Sequence, residues 1–475
     1  MVIVRLAPEG WPSGRSSRWG PSAHMNFDKS GWLRRYLEFR SAHPIANQLP
    51  STGVKVLEDT GLHHELDEAI YYFLQPTGLL YGFPVGLPFP DQEYPGGAYM
   101  STTDRVHLIF LESLFSCLVA DRHYLLADLS DERDHFAPAL QLAAEFFAHP
   151  AAQPTAARLT WPRWLALPSR RDGNARLERA LNARIGVGTE LLRLPGHYYN
   201  SFLFLDLYYC MVWQRRMLVD PDAADEHMRD LAARQRDQRE LLIRLMIAAA
   251  AVSGDVVRAE QRLISWFIRS SGLPTPRVRA LREALHGSVK RGASLEGQWL
   301  EGLEVPDMPW LVRRFMLEAV LMTMLVDRVL SPEEEVFLHE IVEVLELWKE
   351  ELNQSKIALE VFILHQEHRL QIFRDRPALL NVSANLREQA SVSIRKNLHR
   401  LVQEIRETQE LYSLLMKSTH MALSVEEKRK VRQQLLDILK TIPALAIFSL
   451  PGGALILPVL IRLLPFNLLP SSFEE

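Results

Sequence analysis

Thr323-Met-Leu-Val-Asp327-Arg-Val-Leu-Ser331-Pro332-Glu333-Glu334-Glu335-Val-Phe-Leu338 is the stretch on which the fold class turns. A run of small and apolar residues stops at a short polar turn, and a new helix starts behind it. Ser331 caps that helix, and Pro332 takes the first helical position, where a missing N–H costs nothing. Glu334 returns its carboxylate to the cap as a capping box. The same shape stands 74 positions earlier, in Ala248-Ala-Ala-Ala-Val-Ser253-Gly-Asp-Val-Val-Arg-Ala-Glu260. Two helix–turn–helix units of one pattern, with no period-2 alternation between turn dipeptides anywhere, predict an all-α chain.

The bulk numbers agree. At 475 residues, 47% hydrophobic and 24% charged, the chain is long enough for several domains and is ordinary for a globular protein. A net charge of −4 gives no global pull toward nucleic acid. Cys117 and Cys210 sit in apolar surroundings and are expected as buried thiols, which leaves no disulfide framework and no multi-cysteine zinc site. No phosphate-cradling glycine loop, nucleophile elbow or zincin motif is present, so an enzyme is not expected.

Moving outward toward the N-terminus, residues 1–24 read as a disordered leader or a misassigned start, with Met25 opening a more ordinary sequence. Export signals are lacking there, and the body is expected in the cytoplasm. From 75 to 97 the density of Pro, Gly and aromatics forbids a continuous helix and predicts a long loop, packed by its own aromatics or used for binding. Tyr198–Trp213 is apolar except for Asn200, Ser201 and Asp206, and predicts a buried core helix. Asp206 within it needs a partner or a proton. Ala223–Glu240 reads as an exposed, charged helix joining two domains. His365 and His368 share a helix face, but no third metal ligand accompanies them.

The repeated pair resembles the tellurite-resistance TerB-like fold, an α-helical module of two pseudo-symmetric helix–turn–helix units. That resemblance implies a divalent-cation site at the turns. Asp327 and Glu334 match its acidic pattern, as do Gly254 and Glu260, while Asp255 lies beside Ser253, which stands where the pattern has its first Asp. Arg328 replaces the glycine of the second turn. Hard divalent ions need several oxygen ligands, so the alternative is that these acids cap helices.

Toward the C-terminus, apolar residues recur at three- and four-residue steps between 382 and 416, one amphipathic face. Ser424 and Glu427 form a second capping box, opening a helix that is basic on its outer side. Thr441–Ile461 then carries no charge for 21 residues, a length that as a helix matches the hydrocarbon core of a bilayer. Pro451-Gly452-Gly453 breaks it into a kinked helix or a re-entrant hairpin.

These residues resemble the membrane segment of the leucine zipper–EF-hand-containing transmembrane (Letm-type) family, with this chain as a bacterial-type relative. Leu423, Ser424 and Glu427 match the family's opening, and Asp437 stands six residues before Pro443. Pro451, Pro458 and Pro465 keep its steps of eight, seven and seven; Arg462 replaces a lysine. Leu469-Pro470-Ser471-Ser472-Phe473 matches its end signature with one extra residue ahead. Ala454 stands where family members carry an acid suited to ion handling. Family members continue into a large domain likened to a ribosome-binding fold, whereas here Glu474 and Glu475 follow Phe473.

The expected organisation is therefore a leader at 1–24, an N-terminal helical domain at 25–236, and a TerB-like domain at 237–372. An amphipathic helix or hairpin at 373–420 and a Letm-type membrane segment at 421–475 complete it. Lys428, Arg429, Lys430, Arg432 and Lys440 precede the apolar run, and Arg462 alone follows. Positive-inside logic leaves the body in the cytoplasm, tail-anchored in the cytoplasmic membrane. The expected function is a non-enzymatic membrane-tethered scaffold or sensor linked to cation homeostasis or envelope stress. A cation/proton antiporter component and a ribosome-associated membrane factor are the alternatives. Expected partners are membrane lipid, protein partners or further copies of the chain, and, under the last alternative, the ribosome, with no direct nucleic-acid contact and no cofactor beyond the cation.

Overall fold

The computed structural model describes residues 27, 29–42, 62–88, 100–126, 132–149, 151, 173–185, 200–252, 256–291, 308–326, 330–366, 398–418 and 424–441. Among these residues the regular structure is helical throughout, as expected from the periodicity. In chain order the helices are α1 (Trp32–Ala42), α2 (Leu62–Leu74), α3 (Thr102–Leu126), α4 (Glu132–Ala148), α5 (Gly173–Ile185), α6 (Leu203–Val219), α7 (Ala224–Val252), α8 (Arg258–Ser270) and α9 (Thr275–Arg291). There follow α10 (Trp310–Met324), α11 (Pro332–Val344), α12 (Lys349–Gln366), α13 (Leu398–Glu407), α14 (Gln409–Ser418) and α15 (Val425–Thr441). The chain forms two compact units. The first draws on Met1–Leu49, Thr77–Glu304 and Thr323–Phe337; the second on Pro50–Pro76, Val305–Met322 and Leu338–Glu475.

The first unit is built around α3 and α6. Both are apolar on nearly every side, so each must be surrounded. α3 packs on α4, α5 and α6, and α6 packs in turn on α4 and α7, while α7, α8 and α9 pack on one another. Cys117 on α3 and Cys210 on α6 are free and buried, and burial pushes both thiols well above their ordinary range. That makes them core residues rather than nucleophiles. α6 supplies the expected core helix, starting at Leu203 and running on to Val219.

The segment expected as an exposed joining helix is instead the first half of α7, a continuous helix of 29 residues. Its charged face is real, yet Met228, Leu231, Ala232, Gln235, Gln238 and Arg239 are buried. The apolar and amide positions recur at helical spacing between the charges and give this helix an inner face.

The described part of the Pro/Gly-rich loop is packed by its own side chains. Two 3-10 turns, Gln75–Thr77 and Leu79–Tyr81, replace a helix, and Leu79, Leu80, Tyr81 and Phe83 are buried. Gly82 follows with φ +73°, and a Cβ there would lie 2.6 Å from the Phe267 ring. Only glycine combines that backbone with that approach.

In the second unit, α13, α14 and α15 pack on one another. The amphipathic face expected between 382 and 416 is carried, over the described residues, by two helices separated at Thr408. Leu401 and Ile405 on α13, Leu411 and Leu415 on α14, and Val431, Leu435, Ile438 and Leu439 on α15 are buried.

Candidate functional site: buried charge knots and the capped helix before the apolar run

Three local arrangements place charge where it has consequences. The first lies in the first unit, around Asp206. This carboxylate sits in the first turn of α6 and is fully buried at 0% exposure, with Arg184 at 2% and Arg239 at 5%. Its Oδ1 accepts Arg184 Nη1 at 2.9 Å, Arg239 Nη2 at 2.7 Å and Gln235 Nε2 at 2.9 Å, and Oδ2 accepts Asn200 Nδ2 at 3.3 Å. Asp206 was singled out in the sequence as needing a partner, and it has two cationic ones. Arg184 comes from the last turn of α5 and Arg239 from the inner face of α7.

The second arrangement lies in the second unit and was missed in the sequence. Arg314 of α10 is fully buried, its guanidinium 4.3 Å from the centre of the Tyr71 ring of α2. Its Nη2 donates to the Tyr71 hydroxyl, which donates to Glu318 Oε1. Glu351 at the start of α12 lies 3.5 Å from Arg314 Nη1 and accepts the Trp310 indole N–H and the Trp348 amide. Burial raises the Glu318 carboxyl above its usual range, against the opposite pull of Arg314. The signal that could have exposed this knot is an Arg and a Glu four apart inside Trp310–Met324, a helix otherwise almost wholly apolar.

The third arrangement is the entrance to the C-terminal segment. The Ser424 amide donates to Glu427 Oε2 at 2.9 Å, and the Glu427 amide donates to Ser424 Oγ at 3.2 Å, the capping box read from the sequence. Lys417 of α14 reaches the same carboxylate at 2.6 Å. The Lys417 ammonium first, then the Ser424 amide, pull Glu427 down to about 2. Lys430 pairs with Glu410 of α14, which also accepts Gln434 Nε2 at 2.7 Å. The buried apolar face of α15 and these two ties hold the helix on its neighbours, while Arg429 and Lys430 remain exposed.

The acids expected at a cation site divide differently. Glu334 accepts the Ser331 amide at 2.7 Å and Glu260 the Val257 amide at 2.8 Å, each closing the first turn of its own helix. Asp255 and Asp327 lie outside the described residues. Among the described residues no group of three or more His, Cys, Asp or Glu is placed to hold a metal. Asp437 lies on α15. His365 ends up in the last turn of α12, and His368 is outside the described residues, as are Pro443, Pro451, Gly452, Gly453, Pro458, Arg462, Pro465, Pro470 and Phe473. Among the described residues no helix is long and apolar enough to cross a membrane.

No curated protein and no solved structure matches the chain. Residues 423–475 match the family model described as LETM1-like, RBD. This end of the chain is therefore similar to the Letm-type family over the same residues that hold the capping box, Asp437 and the spaced prolines.

Proposed function

We propose that the protein is a non-enzymatic, membrane-tethered helical scaffold or sensor that serves cation homeostasis or an envelope-stress response. Its helical body lies in the cytoplasm, anchored in the cytoplasmic membrane by the Letm-type segment at 421–475. The match of 423–475 to a Letm-type model is the observation that carries this reading. The capped α15 supports it: a helix fixed on α13 and α14 leads directly into an uncharged run long enough for a bilayer. The repeated helix–turn–helix pattern, with its caps at Glu260 and Glu334, supports a TerB-like module as the sensing part. Lipid is the partner this requires, and protein partners or further copies of the chain are the natural readers of its state. Calorimetric titration with calcium, magnesium and zinc tests whether the turn acids take a cation; absence of heat at millimolar metal rules that out.

The experiment that separates tether from transporter is reconstitution of the full chain in liposomes. Silence in a proton-coupled potassium or calcium flux assay supports the scaffold, and flux supports an antiporter component with Asp437 or Arg462 as charge carriers. One further reading, a ribosome-associated membrane factor, rests on the same match to the LETM1-like, RBD model. Co-sedimentation with ribosomes that salt abolishes would establish that reading instead.

A further inference from the structure

Two guanidiniums and one carboxylate meet in the core of the first unit, and the carboxylate does not use up the donors. Arg239 is served on three sides: Nη2 by Asp206, Nη1 by the Ser271 carbonyl at 2.7 Å beyond α8, and its face by the Phe202 ring at 5.3 Å. Arg184 gives Nη1 to Asp206, while its Nε and Nη2 are buried without a hydrogen-bond partner among the described residues, as is Arg239 Nε. The carbonyl ends of α5 and α8 offset part of the positive charge. They present no acceptor to the Nε–Nη2 edge of Arg184, which is the fork that guanidinium offers to anions. An arginine cannot shed its proton to escape burial. Asn200 donates its amide to the Arg184 carbonyl at 2.8 Å and to Asp206, and its oxygen accepts the Phe202 amide at 2.9 Å; it makes no hydrogen bond to the fork.

We propose that the Nε–Nη2 fork of Arg184 binds one small inorganic anion of chloride size within the first unit. An anion held there makes the stability of the first unit depend on anion concentration.

The test uses the full chain purified in non-ionic detergent. Thermal unfolding is followed while sodium gluconate is replaced by sodium chloride at constant ionic strength. The expected result is a saturable rise of about 3 °C in the wild type and in Arg34→Gln, a variant of an exposed ion pair. Arg184→Lys, which keeps the charge but loses the fork, is expected to show no such rise. An equal response in all three proteins, or none specific to chloride, overturns the proposal and leaves the donors to water. Should Arg184→Lys fail to fold, chloride-35 line broadening on the wild type decides. Broadening that bromide competes away supports the site, and its absence refutes it.

Discussion

At the scale of single residues, this protein puts ionisable groups where their neutralisation is expensive. Asp206 binds two buried guanidiniums, and removing its charge leaves both unpaired. Asp206→Asn is expected to cost about 3–5 kcal/mol in chemical denaturation. Glu38→Gln, breaking the exposed Arg34–Glu38 pair at 3.0 Å, is expected to stay within about 0.5 kcal/mol. Glu360 behaves in the opposite sense. Burial pushes its carboxyl from 4.5 up to about 7, against the weaker pull of Lys356. Its folded value lies above its unfolded one, so the unfolded chain ionises first as pH rises. Its contribution is full below about pH 4.5 and is lost by about pH 7. Glu360→Gln should flatten that limb of the stability profile and gain about 2–3 kcal/mol at pH 8, read from denaturation midpoints across pH. The need of Asp206 for a partner was legible, since a lone acid in an apolar helix is conspicuous. The identity of its partners was not: Arg184 and Arg239 stand 22 and 33 positions away and meet it only through tertiary packing.

At the scale of elements, the helix starts were the most legible features because capping is local. Ser331 with Glu334 and Ser424 with Glu427 form the reciprocal bonds their spacing implies. Ser424→Ala is expected to cost about 1 kcal/mol locally. Hydrogen exchange at the Glu427 amide, whose acceptor is lost, should quicken while the α6 amides are unchanged. The inner face of α7 was less legible, because Gln235, Gln238 and Arg239 are polar by type and buried by position. The break at Thr408 was also hidden: the apolar steps of α13 and α14 continue across it without a glycine or proline to mark it. Gly82 connects loop to core, and Gly82→Ala is expected to destabilise by roughly 1–3 kcal/mol, with a lower melting midpoint, since both the backbone and the Phe267 ring resist a Cβ.

At the scale of the whole molecule, a helical body is joined to an end similar to the Letm-type family. The body is held by buried polar knots within each unit; the end is recognised by spaced prolines and a capped, partly basic helix. Transport, sensing and ribosome association all presuppose that the uncharged run after Thr441 resides in lipid. The most direct measurement compares the full chain with one truncated after Thr441, each expressed in cells and fractionated with a carbonate wash. The full chain is expected in the washed membrane pellet and the truncated one in the supernatant. Recovery of the full chain in the supernatant, or retention of both in the pellet, would contradict that expectation.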